Sequence, residues 1–204
     1  MKRFIIAMRH PQKTKLADGS EPITPWGAQQ TFAATQALDP ELTCKVGRIV
    51  HSGVPRANQA ALVVQAAMLT NGNTVLVEGN EDFSFLPLLP QFPNAKELLA
   101  DIAKTRDNGD DNILACLGNA WVIACRKRAD AGLLKLAAEM DVSGEEVVIV
   151  VSHSPFIETA ANGEGADGVP AGLFEADAVL YTIEDGSIVG STYIKAPLDG
   201  GLRN

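Results

Sequence analysis

The sequence predicts an α/β fold of three layers, with a mainly parallel sheet and helices on both of its faces. Short apolar runs alternate with longer helical segments through the first 80 residues, the order that places parallel strands in one sheet with crossover helices around it. The runs at residues 4–8 and 147–151 have no polar interruption, as expected of strands buried on both faces. The chain has 204 residues, 46% of them apolar and 21% charged, enough for one domain with a sizeable core. No internal repeat, low-complexity tract or linker divides it, so a single domain spanning residues 1–204 is expected.

Each element can be justified in turn. The first strand, residues 4–8, runs directly into Arg9 and His10. A polar loop follows over residues 11–21, with Asp18-Gly19-Ser20 as turn material. Thr24 before Pro25 marks a helix start, a capping hydroxyl ahead of proline at the first helical position. That helix should reach about Leu38 and stop before Asp39-Pro40. Residues 47–51 form a second short strand that ends on His51-Ser52. Pro55 opens a helix with Arg56 in its first turn, and Ala60, Ala61, Val63, Val64, Ala67 and Met68 form its apolar side. Residues 74–77 form a third strand.

The pattern breaks over residues 78–93, where an acidic, turn-rich stretch precedes an apolar loop with prolines. A long loop inside a compact domain is usually functional, so this one is expected over or beside a site. Residues 96–104 read as helical, 107–112 as a polar break, and most of 113–140 as helix interrupted near Gly118 or Gly132. Five β-branched residues, Val147-Val148-Ile149-Val150-Val151, give the strongest strand signal and end in Ser152-His153-Ser154-Pro155. A short helix over 156–161 and a glycine-rich loop over 162–172 follow. Residues 178–184 and 187–194 form a hairpin around Asp185-Gly186, and the chain frays from Leu198.

Composition narrows the possible functions. A net charge of −8 opposes non-specific binding to nucleic acid or anionic membrane, so any anion site must be local. Cys44, Cys116 and Cys125 are an odd number at no metal-ligand spacing and read as reduced thiols. The apolar run after Met1-Lys2-Arg3 is too short for a signal peptide, and no segment suits a membrane span, so a cytoplasmic location is expected.

The chemistry gathers at strand ends. Ligands of open α/β sheets collect beyond the carboxyl ends of the strands. Arg9-His10, His51-Ser52 and Ser152-His153 each follow a strand, and these account for all three histidines of the chain. An arginine fork matches phosphate or carboxylate oxygens, and Arg56 adds a cation beside the free N–H groups of a helix start. The same polar residues could simply cap strand ends in water, but all three histidines would seldom fall there by chance.

Four segments resemble, in order, the motifs of the histidine phosphatase superfamily, which has the phosphoglycerate-mutase-like fold. They are Met8-Arg9-His10-Pro11, the stretch from Ile23-Thr24 through Gly27 to Gln30, the stretch Ser52-Gly53-Val54-Pro55-Arg56-Ala57-Asn58-Gln59-Ala60-Ala61, and Val150-Val151-Ser152-His153-Ser154-Pro155. Pro11 stands where the family has glycine, and Ala60 where it has threonine. The resemblance implies a phosphatase without metal or other cofactor. It acts on a phosphomonoester or a protein phosphohistidine, so the partners are a small phosphate ester or a phosphoprotein. The short chain leans toward the bacterial phosphohistidine phosphatases. In this family role His10 attacks phosphorus and becomes a phosphohistidine, while Arg9, Arg56 and His153 bind the substrate's phosphoryl oxygens. For the proton donor Asp82, followed by apolar Phe83, best matches the family's local pattern, with Glu81 next and Glu78 and Glu158 behind; His51 receives no role. The alternatives are a phosphoglycerate-type phosphomutase and a catalytically weak phosphate-binding module.

Overall fold

The computed structural model describes residues 2–95, 97–101, 118–140, 146–154, 156–161, 169–170 and 173–198. The strands are β1 (Lys2–Arg9), β2 (Val46–His51), β3 (Leu76–Gly79), β4 (Val147–Ser152), β5 (Ala178–Glu184) and β6 (Ser187–Ile194). They form one sheet in the order β3-β2-β4-β1-β5-β6. The first four in that order run parallel, and β5 and β6 add an antiparallel edge. The helices are α1 (Pro25–Gln36), α2 (Pro40–Thr43), α3 (Pro55–Thr70), α4 (Gly118–Glu139) and α5 (Phe156–Ala161). Residues 97–101 are also helical.

The alternation of side chains along the central strands builds two cores. Ile6 and Met8 of β1 join Val147, Ile149 and Val151 of β4 against Ala34 of α1 and Ala57, Ala61, Val64 and Met68 of α3. Ile5 and Ala7 join Val148 and Val150 against Trp121, Cys125, Ala129, Leu133 and Leu136 of α4 and Phe156 and Ile157 of α5. Every residue of β4 is buried, which is why that strand carries no polar residue before its last. The expected three layers are present.

Register then levels the strand ends. Arg9 lies opposite Ser152, and His51 lies opposite Val151. The residues that follow these three strands therefore emerge side by side at one sheet edge.

Several boundaries differ from expectation. The third strand lies two residues later than the apolar run suggests, because Glu78 and Gly79 still pair with Val50 and His51. Asp39-Pro40 ends the first helix as expected but also starts α2, with the Asp39 carboxylate accepting from the Glu41 N–H at 2.8 Å. Two 3-10 turns, Glu81–Phe83 and Leu86–Gln91, shape the long loop. The hairpin turns at Asp185 and Gly186, with φ of 51° and 76°, the left-handed pair that a two-residue turn requires. The expected helix at 96–104 is described only in part. The break at 107–112, the start of the 113–140 helix, most of the glycine-rich loop and the frayed end lie outside the described residues. Among the described residues, no helix is long and apolar enough to cross a membrane.

Candidate active site

The loop after β1 carries His10, and the start of α1 holds that loop in place. The Thr24 hydroxyl accepts from the Gly27 N–H at 2.9 Å and donates to Gln12 Oε1 at 2.9 Å. The Thr24 N–H donates to the Gln12 carbonyl at 3.0 Å. Buried Gln30 accepts from the Gln12 N–H at 3.1 Å. A Cβ at residue 27 would stand 2.3 Å from the Gln12 carbonyl oxygen, so only glycine allows this approach. Thr24, Gly27 and Gln30 thus converge on Gln12, two residues beyond His10.

The consequence is a defined imidazole. His10 Nδ1 lies 2.9 Å from the Pro11 carbonyl oxygen, which can only accept, so Nδ1 carries the proton. His10 Nε2 then presents its lone pair and accepts from Arg56 Nε–H at 3.2 Å. Burial pushes the His10 pKa well below 6.5, and the charges of His153, Arg9 and Arg56 push it further. The bond to Pro11 opposes them and does not prevail. A buried neutral imidazole whose unprotonated nitrogen faces cations is the form required for attack on an anionic electrophile.

The other strand ends complete the cluster. Ring centroids of His10 and His153 are 5.3 Å apart, edge to face. His153 Nε2 and Ser52 Oγ lie 2.7 Å apart, which ties the ends of β4 and β2 together. Arg9 donates through Nη1 to the Leu173 carbonyl and pairs through Nη2 with Glu175 at 3.5 Å. Arg56 also donates through Nη1 to Glu21 at 3.0 Å. Burial lowers the Arg56 pKa, Glu21 raises it, and Arg9 lowers it again. Arg9, His10, Arg56 and His153 therefore share one electrostatic environment, within a chain that is acidic overall.

The carboxylates expected nearby separate in space. Asp82 Oδ2 pairs with Lys135 Nζ of α4 at 2.8 Å. The Glu81 side chain lies against Gly53, next to Ser52: a Cβ at residue 53 would stand 3.7 Å from Glu81 Cγ. Glu78 pairs with Arg48 at 3.3 Å. Glu158 is wholly buried, accepting from the Ser154 hydroxyl and from the Leu173 N–H at 2.6 Å. His51 accepts from the Gly53 N–H at 3.1 Å and shapes the turn after β2.

The long loop does reach the cluster. Phe85 stands edge-on to His153 with centroids 5.7 Å apart, and Phe85 and Phe92 both pack on Trp121. The Ser152 hydroxyl donates to the Phe83 carbonyl at 2.5 Å, and Arg128 donates to the carbonyls of Ser84 and Glu81, each at 2.7 Å. Sequence reasoning did not single out Glu21 or the Ser52–His153 contact. The Ser52 motif offered a signal for the second; nothing in the sequence marked the first.

Solved structures share this architecture. A phosphoglycerate mutase from Bacillus anthracis is 14% identical with a TM-score of 0.60, covering 98% of this chain and 94% of its own. The protein histidine phosphatase SixA, solved with tungstate, is 17% identical with a TM-score of 0.55, covering 93% of each chain. A mycobacterial glucosyl-3-phosphoglycerate phosphatase is 14% identical with a TM-score of 0.57, covering 96% of this chain and 99% of its own. No protein-family model and no curated protein matches the sequence. The chain has the phosphoglycerate-mutase-like fold, the architecture of the histidine phosphatase superfamily.

Proposed function

We propose that the chain is a metal-independent phosphatase of the histidine phosphatase superfamily, acting through a phosphohistidine on His10. The observation that carries this reading is the state of His10: neutral, protonated on Nδ1, and presenting Nε2 to Arg56 at 3.2 Å. In the first step the Nε2 lone pair forms an N–P bond as the bond from phosphorus to the leaving oxygen or nitrogen breaks. Arg9, Arg56 and His153 hold the phosphoryl oxygens and offset the charge that develops on them. A leaving alkoxide takes its proton from Glu81 in its carboxylic acid form, the acidic side chain that runs past Gly53, because Asp82 is engaged by Lys135. In the second step water forms an O–P bond, the N–P bond breaks, and the carboxylate recovers a proton from the water. The likeness to a protein histidine phosphatase and to a phosphatase of a small ester supports phosphoproteins and phosphomonoesters as the substrate classes.

Rapid quench with a labelled phosphate ester tests the reading. It should trap an acid-labile, base-stable adduct on His10, and turnover should persist in EDTA. His10→Ala should remove both adduct and turnover. Hydrolysis that survives in purified His10→Ala would overturn the covalent mechanism.

A further inference from the structure

Glu21 brings a carboxylate of the chain itself into the cluster. Its Oε2 accepts from Arg56 Nη1 at 3.0 Å and from Lys13 Nζ at 2.5 Å. The same Arg56 guanidinium holds His10 Nε2 through Nε. Two cations therefore converge on one carboxylate oxygen, one guanidinium away from the nitrogen proposed to attack phosphorus. The backbone delivers Glu21 there: Lys13 bridges Ile23, and the Thr14 N–H donates to the Pro22 carbonyl at 3.0 Å. The loop thus folds back on itself and sets Glu21 beside Lys13. Burial alone would raise the Glu21 carboxyl, but the bond from Lys13 and the charges of Lys13, Arg56 and Lys15 hold it below its usual range.

Two cations facing one oxyanion are what a carboxylate or a second phosphate of a substrate would seek. Here that place is already taken. We propose that Lys13 and Arg56 form a second anion subsite beside the phosphoryl position, and that Glu21 fills it from within the chain. Phosphoryl donors with a neutral or cationic leaving group are then favoured over donors that carry a second anion. The inference rests on the phosphatase reading and assigns it a substrate class. An ester with its own carboxylate must displace Glu21 to reach the two cations. A neutral or amine-bearing leaving group leaves the Lys13–Glu21–Arg56 arrangement intact and meets no displaced negative charge. The Arg56 side chain is only 17% accessible, so the test substitution is Glu21→Gln, which removes the charge but keeps a side-chain oxygen to accept from Arg56.

Three esters of similar size separate the possibilities: phosphoethanolamine, glycerol 3-phosphate and 3-phosphoglycerate, whose leaving groups are cationic, neutral and anionic. Both kcat/KM and calorimetric Kd are measured for each. The unsubstituted chain should prefer them in that order. Glu21→Gln should raise 3-phosphoglycerate relative to glycerol 3-phosphate by about tenfold, the scale of one freed charge-assisted contact. Adding Lys13→Ala to Glu21→Gln should remove most of that gain. Hydrolysis of all three without a charge order, or an equal loss for all three in Glu21→Gln, would overturn the subsite and leave the phosphatase reading standing. Affinities that keep the order and shift in Glu21→Gln, with no turnover of these esters and no His10 adduct from an ester or a phosphohistidine protein, would support the subsite and defeat the phosphatase reading. Failure of all three to bind would overturn the subsite outright.

Discussion

Acidification should destabilise this protein through His10, and the size of the effect has a ceiling. In the folded chain burial and three neighbouring positive groups hold the His10 pKa well below 6.5. In the unfolded chain the same imidazole takes up a proton near its ordinary value of about 6.5. Below that pH the unfolded state binds one more proton than the folded state, so stability falls as pH falls. The slope approaches about 1.4 kcal/mol per pH unit for one proton. Integrated from pH 7.5 to pH 5.0, a group that stays neutral throughout the folded state costs at most about 2 kcal/mol. His51, also lowered by burial, adds a smaller loss of the same sign. The assay is urea unfolding at both pH values for the unsubstituted chain and for His10→Gln, so that carboxylate effects common to the two cancel. The unsubstituted chain should lose more stability, by up to that ceiling, with no change in the urea dependence. Equal losses in the two proteins would mean that the surroundings do not hold His10 neutral, and would remove the physical basis for the attack on phosphorus proposed for it.

Two further outcomes are expected. Glu81→Gln should slow alkyl esters by about 10²-fold while sparing p-nitrophenyl phosphate, whose leaving group needs little protonation. Asp82→Asn should leave the alkyl-to-aryl ratio almost unchanged and cost under about 1 kcal/mol, because it breaks an exposed pair; a larger alkyl-specific loss in Asp82→Asn would reverse the assignment. Thr24→Ala should lower unfolding stability by about 1 kcal/mol and Thr24→Ser should restore most of it, since the hydroxyl both caps α1 and holds Gln12. No difference between the two substitutions in urea unfolding would show that the cap contributes nothing.

The strand ends were legible because composition changes abruptly there: five β-branched residues run into Ser152-His153, and Phe4 to Met8 into Arg9-His10. Buried parallel strands leave no other place for such polar residues than the edge of the sheet. The third strand was harder to place. β3 is an edge strand with Leu76 exposed, so its last two residues, Glu78 and Gly79, carry no apolar signal although they pair in register with β2. α2 was missed because Asp39-Pro40 serves two helices at once, ending one and capping the next. The family pattern favours Asp82 over Glu81 as the proton donor, whereas the proposal for Glu81 rests on how the 3-10 turn separates the two side chains. Successive residues in a 3-10 turn point about 120° apart. The Asn80 cap and the Arg128 contacts fix that turn, and thereby set the Glu81 side chain against Gly53 and the Asp82 carboxylate on Lys135. Glu21 was invisible because its partners depend on how the loop from Pro11 folds back.

The same dependence explains Pro11, which departs from the glycine of the motif it resembles and directly follows the proposed nucleophile. What the site takes from residue 11 is its carbonyl oxygen, which holds His10 Nδ1–H at 2.9 Å and thereby turns the Nε2 lone pair toward Arg56. Proline keeps that acceptor and gives up only the N–H. The direction of the carbonyl comes from the next residue, Gln12, whose N–H, carbonyl and side-chain oxygen are all bound by Thr24 and Gln30. A glycine at position 11 would have the freedom to adopt many backbone angles; here the start of α1 already selects the one that is used. The fixed φ of proline, about −65°, is therefore compatible with a preorganised imidazole, since the tautomer is set by an acceptor that every residue type carries.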